Sequence, residues 1–116
     1  MIADPMGAAS FRAAVEFLGL SQADVADRLG VSDRTVRHWL AGRYAIPVGV
    51  ADEVRAWLTY AANLVERSAA VSGGSAILEV VVPTEGPWPR RFWRHIALRV
   101  AERVGVPVEV VEDVEP

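Results

Sequence analysis

Residues 20–42, LSQADVADRLGVSDRTVRHWLAG, constrain the fold more than any other stretch, because they specify two short helices joined by a tight turn. Ser21 caps a first helix with Asp24 at its third position, a capping-box start in which side chain and backbone satisfy each other. Ala23, Val25, Ala26 and Leu29 supply the apolar side of that helix. Gly30 stands where a helix end calls for positive φ, and the apolar Val31 after it suits a turn pinned by a buried side chain. Ser32 caps a second helix, in which Val36, Trp39 and Leu40 take the spacing of a buried stripe. Asp33, Arg34, Arg37 and His38 lie off that stripe, and Gly42 stops the helix. Ala26 is small enough to let the two helices approach at a steep crossing.

The flanks extend this helical region. Phe11, Ala14, Val15 and Leu18 repeat at helical spacing and predict a first helix over residues 8–18, with Gly19 as its stop. After a turn at residues 43–47, Pro47 suits the start of a long helix. Val50, Val54, Trp57, Ala61 and Leu64 are spaced four, three, four and three apart, a seam widened by Leu58 and Val65. Its first half belongs on the helix-turn-helix core. From Tyr60 to about Ala69 it outruns that small core, and packs either on the C-terminal part or on another subunit.

The organisation changes at residues 71–75, VSGGS, where paired glycines between serines read as a linker. Residues 76–82, AILEVVV, read as a mostly buried strand ended by Pro83. A loop at residues 84–87 leads to a helix over 88–104, with Phe92, Trp93, Ile96, Ala97, Val100 and Val104 on one broad side. Arg90, Arg91, Arg94, His95 and Glu102 point the other way; the arginines read as solvated, although Arg90 and Arg91 leave room for a contact with phosphate. Residues 106–111 read as another strand, followed by an acidic tail over 112–116. Strand, helix and strand fit a parallel βαβ-like crossover or a more open arrangement. The fold class expected is α+β: a four-helix helix-turn-helix domain (1–70), a linker (71–75) and a small strand-helix-strand unit (76–116). Two strands and one helix make a poor independent domain, so with Leu78, Val80, Val82, Val108 and Val110 to bury, a homodimer through residues 60–112 is expected, the alternative being that this unit folds back on the fourth helix of its own chain.

Composition sets the outer bounds. The 116 residues are 52% hydrophobic, enough for a packed core, and contain no apolar run approaching a membrane span. Residues 1–7, MIADPMG, lack the basic start and apolar core of a signal peptide, which points to a cytoplasmic protein. The absence of cysteine excludes disulfides and thiolate metal sites. His38 and His95 are the only histidines and lack further ligands at metal-binding spacing, and no serine sits in a nucleophile motif, so neither cofactor nor enzyme activity is expected. All 12 basic residues are arginine, and the net charge of −3 would not draw the whole molecule toward phosphate. The distribution is uneven, however: Arg28, Arg34, Arg37 and Arg43 face Asp33 alone between residues 28 and 44, a local basic footprint.

Gln22, Ala26, Leu29-Gly30-Val31-Ser32, Val36, Trp39 and Gly42-Arg43 together resemble the helix-turn-helix of the Cro and phage-repressor family, also called the xenobiotic-response-element family, over residues 10–60. Leu40 departs from the pattern, since many members carry an acidic residue there. The overall layout also resembles compact regulators of the anti-CRISPR-associated type, through Trp93-Arg94 and the flanking strands. The resemblance implies a sequence-specific binder of double-stranded DNA from a phage, mobile element or host chromosome. Its second helix would enter the major groove, bringing Ser32, Asp33, Arg34, Arg37 and His38 nearest the base edges. Arg34 is suited to a bidentate contact with guanine, while Asp33 either accepts from cytosine or complements the helix N-terminus and orients Arg34. Carried over by position, Gln22, Thr35 and Arg43 would hold phosphates. Arg28 and Arg55 read as surface charges, and residues 1–7 lack the basic residues of a minor-groove arm. The expected function is a dimeric transcriptional repressor on an inverted-repeat operator. The alternatives are an antitoxin or adaptor whose C-terminal unit binds another protein, and a small architectural protein.

Overall fold

The computed structural model describes residues 5–71, 78–83 and 86–112. The expectations for the first four residues, for the linker after Val71, for the start of the first strand, for Leu78's side chain and for the tail beyond Glu112 lie outside the described residues. The architecture is α+β, with elements α1 (Ala8–Phe17), α2 (Gln22–Leu29), α3 (Asp33–Leu40), α4 (Val48–Val71), β1 (Leu78–Val82), α5 (Arg90–Val104) and β2 (Val108–Glu112). The chain divides into two units, Met1–Thr59 and Tyr60–Pro116, with the division falling inside α4.

In the first unit, local sequence sets the helix boundaries. Ser21 accepts from the Asp24 N–H at 3.0 Å while the Asp24 carboxylate accepts from the Ser21 N–H at 2.8 Å, the reciprocal cap expected. The first three helices end in one hydrogen-bond pattern. Leu20, Val31 and Arg43 donate to the carbonyls of Val15, Ala26 and His38, and Gly19, Gly30 and Gly42 donate to those of Glu16, Asp27 and Trp39. Each such turn needs a residue at positive φ. At Gly30, φ is +67° and nothing lies within 4 Å of where a Cβ would stand, so backbone conformation alone selects glycine. Gly30→Ala should therefore cost about 1–2 kcal/mol of stability, measurable as a lowered urea midpoint with an unchanged m-value.

The core of this unit comprises Phe11, Ala14, Val15, Leu18, Leu20, Val25, Ala26, Val36, Trp39, Ala51, Val54 and Trp57, all buried. Phe11 meets Trp39 edge to face, with centroids 6.0 Å apart. Beside it the Arg12 guanidinium donates to the Leu40 carbonyl at 2.9 Å, so α1 holds α3 by an apolar and a polar contact. Ala23 is exposed, contrary to expectation, because it lies about 160° round the helix from Val25. Arg28 is not a solvated surface charge: it is half-buried, with its guanidinium 5.4 Å from the centroid of the Trp57 ring.

The second unit begins with the C-terminal half of α4. Of the two placements open to that half, it takes the one on the C-terminal part: Tyr60 stacks on Trp88 at 5.6 Å and Trp88 on Phe92 at 4.3 Å, and Arg103 pairs with Glu66 at 3.0 Å. The buried seam of α4 runs through Ala51, Val54, Trp57, Ala61 and Val65, with Val50 and Leu64 only half-buried. α5 starts two residues later than expected, because Pro89 disfavours helical geometry at Trp88 and itself stands at the cap.

β1 and β2 pair in parallel, Leu78 with Val108 through Val82 with Glu112. α5 covers one face of this sheet, burying Val82, Phe92, Ile96, Ala97 and Val100. Two arginines expected to be solvated are tied down instead: Arg94 bonds Glu112, and Arg90 lies 3.7 Å from the same carboxylate. The other face of the sheet carries Glu79, Val81, Glu109 and Val111, all exposed.

Candidate nucleic-acid interface

The interface is built on α3, which presents opposite faces to the core and to solvent. Val36 and Trp39 are buried, while Asp33, Arg34 and Arg37 are exposed and His38 is half-buried on the other side. The pattern follows from helical geometry, in which residues three and four apart share a face. Its start is fixed by Ser32, whose Oγ accepts from the Thr35 N–H at 3.1 Å and lies 2.9 Å from Thr35 Oγ1. Ser32 and Thr35 are thus already occupied with each other at the helix entrance. Asp33 lies in the first turn, where its charge complements the helix dipole. Arg34 turns to His38 rather than to Asp33: its Nε–H donates to His38 Nε2 at 3.3 Å.

At the far end of α3, the turn through Gly42 returns Tyr44 to the His38 ring, with centroids 4.8 Å apart and planes 55° apart. Arg43, exposed, sits in the same turn. Desolvation, followed by the charges of Arg34, Arg43 and Arg37, pushes the His38 pKa below its ordinary value. Gln22 opens α2, half-buried beside the cap at Ser21. The fold therefore brings Ser32, Asp33, Arg34, Thr35, Arg37 and His38 together on one short helix, with Arg43 in the turn beyond it and Gln22 at the start of the preceding helix.

Two contributors leave no periodic signal in the sequence. Tyr44 stands six residues beyond His38 across a chain reversal, so no helical periodicity links them. Arg12 reaches α3 from another helix, 28 residues from its acceptor. The arginine spacing alone gave no signal for either role.

Two short capped helices across a glycine turn, the second with a basic outer face, define a helix-turn-helix DNA-binding domain. A helix-turn-helix family model matches residues 12–54, in agreement with the resemblance of that segment to the Cro and phage-repressor family. No curated protein matches the chain. The family is one of DNA-binding regulators of transcription, not of enzymes. Among the described residues, no three His, Cys, Asp or Glu side chains converge as metal ligands would, and no helix is long and apolar enough to cross a membrane.

Proposed function

We propose that this protein is a dimeric transcriptional repressor that reads an inverted-repeat operator, one half-site per α3. The observation that carries the reading is the exposed face of α3, where Asp33, Arg34, Arg37 and His38 project from a helix braced on its other side by Val36 and Trp39. A helix of this kind fits the major groove, which is about 12 Å wide. Arg34 is the principal base contact, with Asp33, Arg37 and His38 beside it and Ser32 at the entrance. Gln22, Thr35 and Arg43 hold the phosphates and fix the helix in register.

The second unit sets the distance between two such helices. A parallel sheet is ordinarily covered on both faces, and a sheet of two strands is marginal by itself. Here one face lies under α5 and the other exposes Val81 and Val111 side by side, which favours a second copy of the chain as the cover. Half-sites about one helical turn apart are then expected.

Base and phosphate contacts separate in one experiment. Arg34→Ala should relax preference at one base position by about 1–3 kcal/mol, measured with a panel of single-substituted operators. Arg43→Ala should weaken all sequences alike and lower the salt slope by about one counterion. Uniform loss from both variants would contradict the assignment.

A further inference from the structure

The outer face of α3 contains an internal contact that changes the part His38 plays. Its Nε2 accepts the Arg34 Nε–H across one helical turn at 3.3 Å. A ring nitrogen that accepts carries no proton, so this contact requires a neutral imidazole with its proton on Nδ1. Tyr44 lies against the same ring at 4.8 Å, and the turn that delivers it is closed by the Arg43 N–H on the His38 carbonyl at 2.9 Å. His38 is thus packed against the tilted Tyr44 ring and engaged by Arg34 at Nε2.

We propose that His38 is a positioning residue for Arg34: the neutral imidazole, braced by Tyr44, holds the guanidinium by its Nε and leaves the two terminal nitrogens to read one guanine end-on. The inference rests on α3 being the base-reading helix, and it assigns His38 no base of its own. An arginine held in this way is restricted before it meets DNA, so less conformational freedom is lost on binding. The neutral state is favoured by its surroundings. The charged and titratable groups facing His38 are Arg34 and Arg37 from α3, and Arg43 and Tyr44 from the turn after it. All three arginines oppose a positive charge on the ring. Protonation at lower pH would place an N–H on Nε2 opposite the Arg34 N–H, two donors face to face, and would release the guanidinium.

The test is selection from a random duplex pool with the full chain over a descending pH series from about 7.5. It compares wild type, His38→Ala, His38→Gln, Arg34→Ala and the Arg34/His38 double alanine variant, with circular dichroism to verify folding. His38→Ala should weaken preference at the same base position as Arg34→Ala, by about fivefold or more within the roughly 5- to 150-fold that a bidentate arginine–guanine pair supplies. The double variant should lose no more than Arg34→Ala alone. His38→Gln, whose amide oxygen can accept from Nε, should restore the preference. As the pH falls through the depressed His38 pKa, wild type should lose preference at that position while His38→Gln keeps it. Loss at a different position would show His38 reading its own base and overturn the inference, as would full preference in His38→Ala. A folded wild type that selects no sequence would overturn the operator reading, and this inference with it.

Discussion

Phe11→Ala should destabilise the first unit by about 3–5 kcal/mol, a large part of the roughly 5–15 kcal/mol available to a typical domain. Phe11 is fully buried and meets Trp39 edge to face, so truncation removes both apolar burial and an aromatic pair from a small core. The loss falls on the element that matters for function, because Phe11 and Arg12 are the residues by which α1 holds α3. Urea unfolding followed by circular dichroism should show the midpoint fall sharply, and DNA binding should disappear at temperatures where wild type binds. A loss below about 1 kcal/mol would mean that α3 is positioned without Phe11, by the α2 packing and the Arg12 contact.

The second large effect concerns the exposed sheet face. Val81 and Val111 are register partners, 58% and 39% exposed. Replacing both with Asp should convert the proposed dimer to a monomer in sedimentation velocity at micromolar concentration. Operator affinity should fall by about 100-fold or more, because two linked half-site contacts become two independent ones. The same variant should retain the weak binding of a single α3 to nonspecific duplex. A wild type that sediments as a monomer would refute dimerisation through this face. If wild type instead carries a different protein on the same surface, the antitoxin or adaptor reading takes its place.

Much of the first unit was legible because its determinants are local. The Ser21–Asp24 cap, the Ser32 cap and the glycines at 19, 30 and 42 act over three to five residues, a range that neighbouring sequence specifies completely. The stripe through Val36 and Trp39 was legible for the same reason, and it left Arg34, Arg37 and His38 on the outer face. The α4 seam was legible only in part. A strict seven-residue repeat drifts by about 20° per heptad round a straight helix, and α4 also changes partners midway. Burial accordingly falls on Ala51 rather than the expected Val50, and on Val65, expected at the edge of the seam, rather than Leu64. The start of α5 is set by the restriction that Pro89 places on Trp88, which apolar spacing does not reveal.

Sequence by itself determined the helix-turn-helix, its caps and turns, the basic face of α3 and the parallel pairing of two short strands as one of two arrangements. These follow from hydrogen bonds and steric limits that reach no further than a turn of helix, or from apolar periodicity along one element. Tertiary structure alone decided that Arg90 and Arg94 serve Glu112, that Arg28 lies over Trp57, that Arg12 holds the end of α3 and that Tyr44 braces His38. In each case an arginine or aromatic side chain meets a group brought close by a chain reversal or a second element. The energy of such a contact depends on distance and orientation in space, which residue order along the chain does not record.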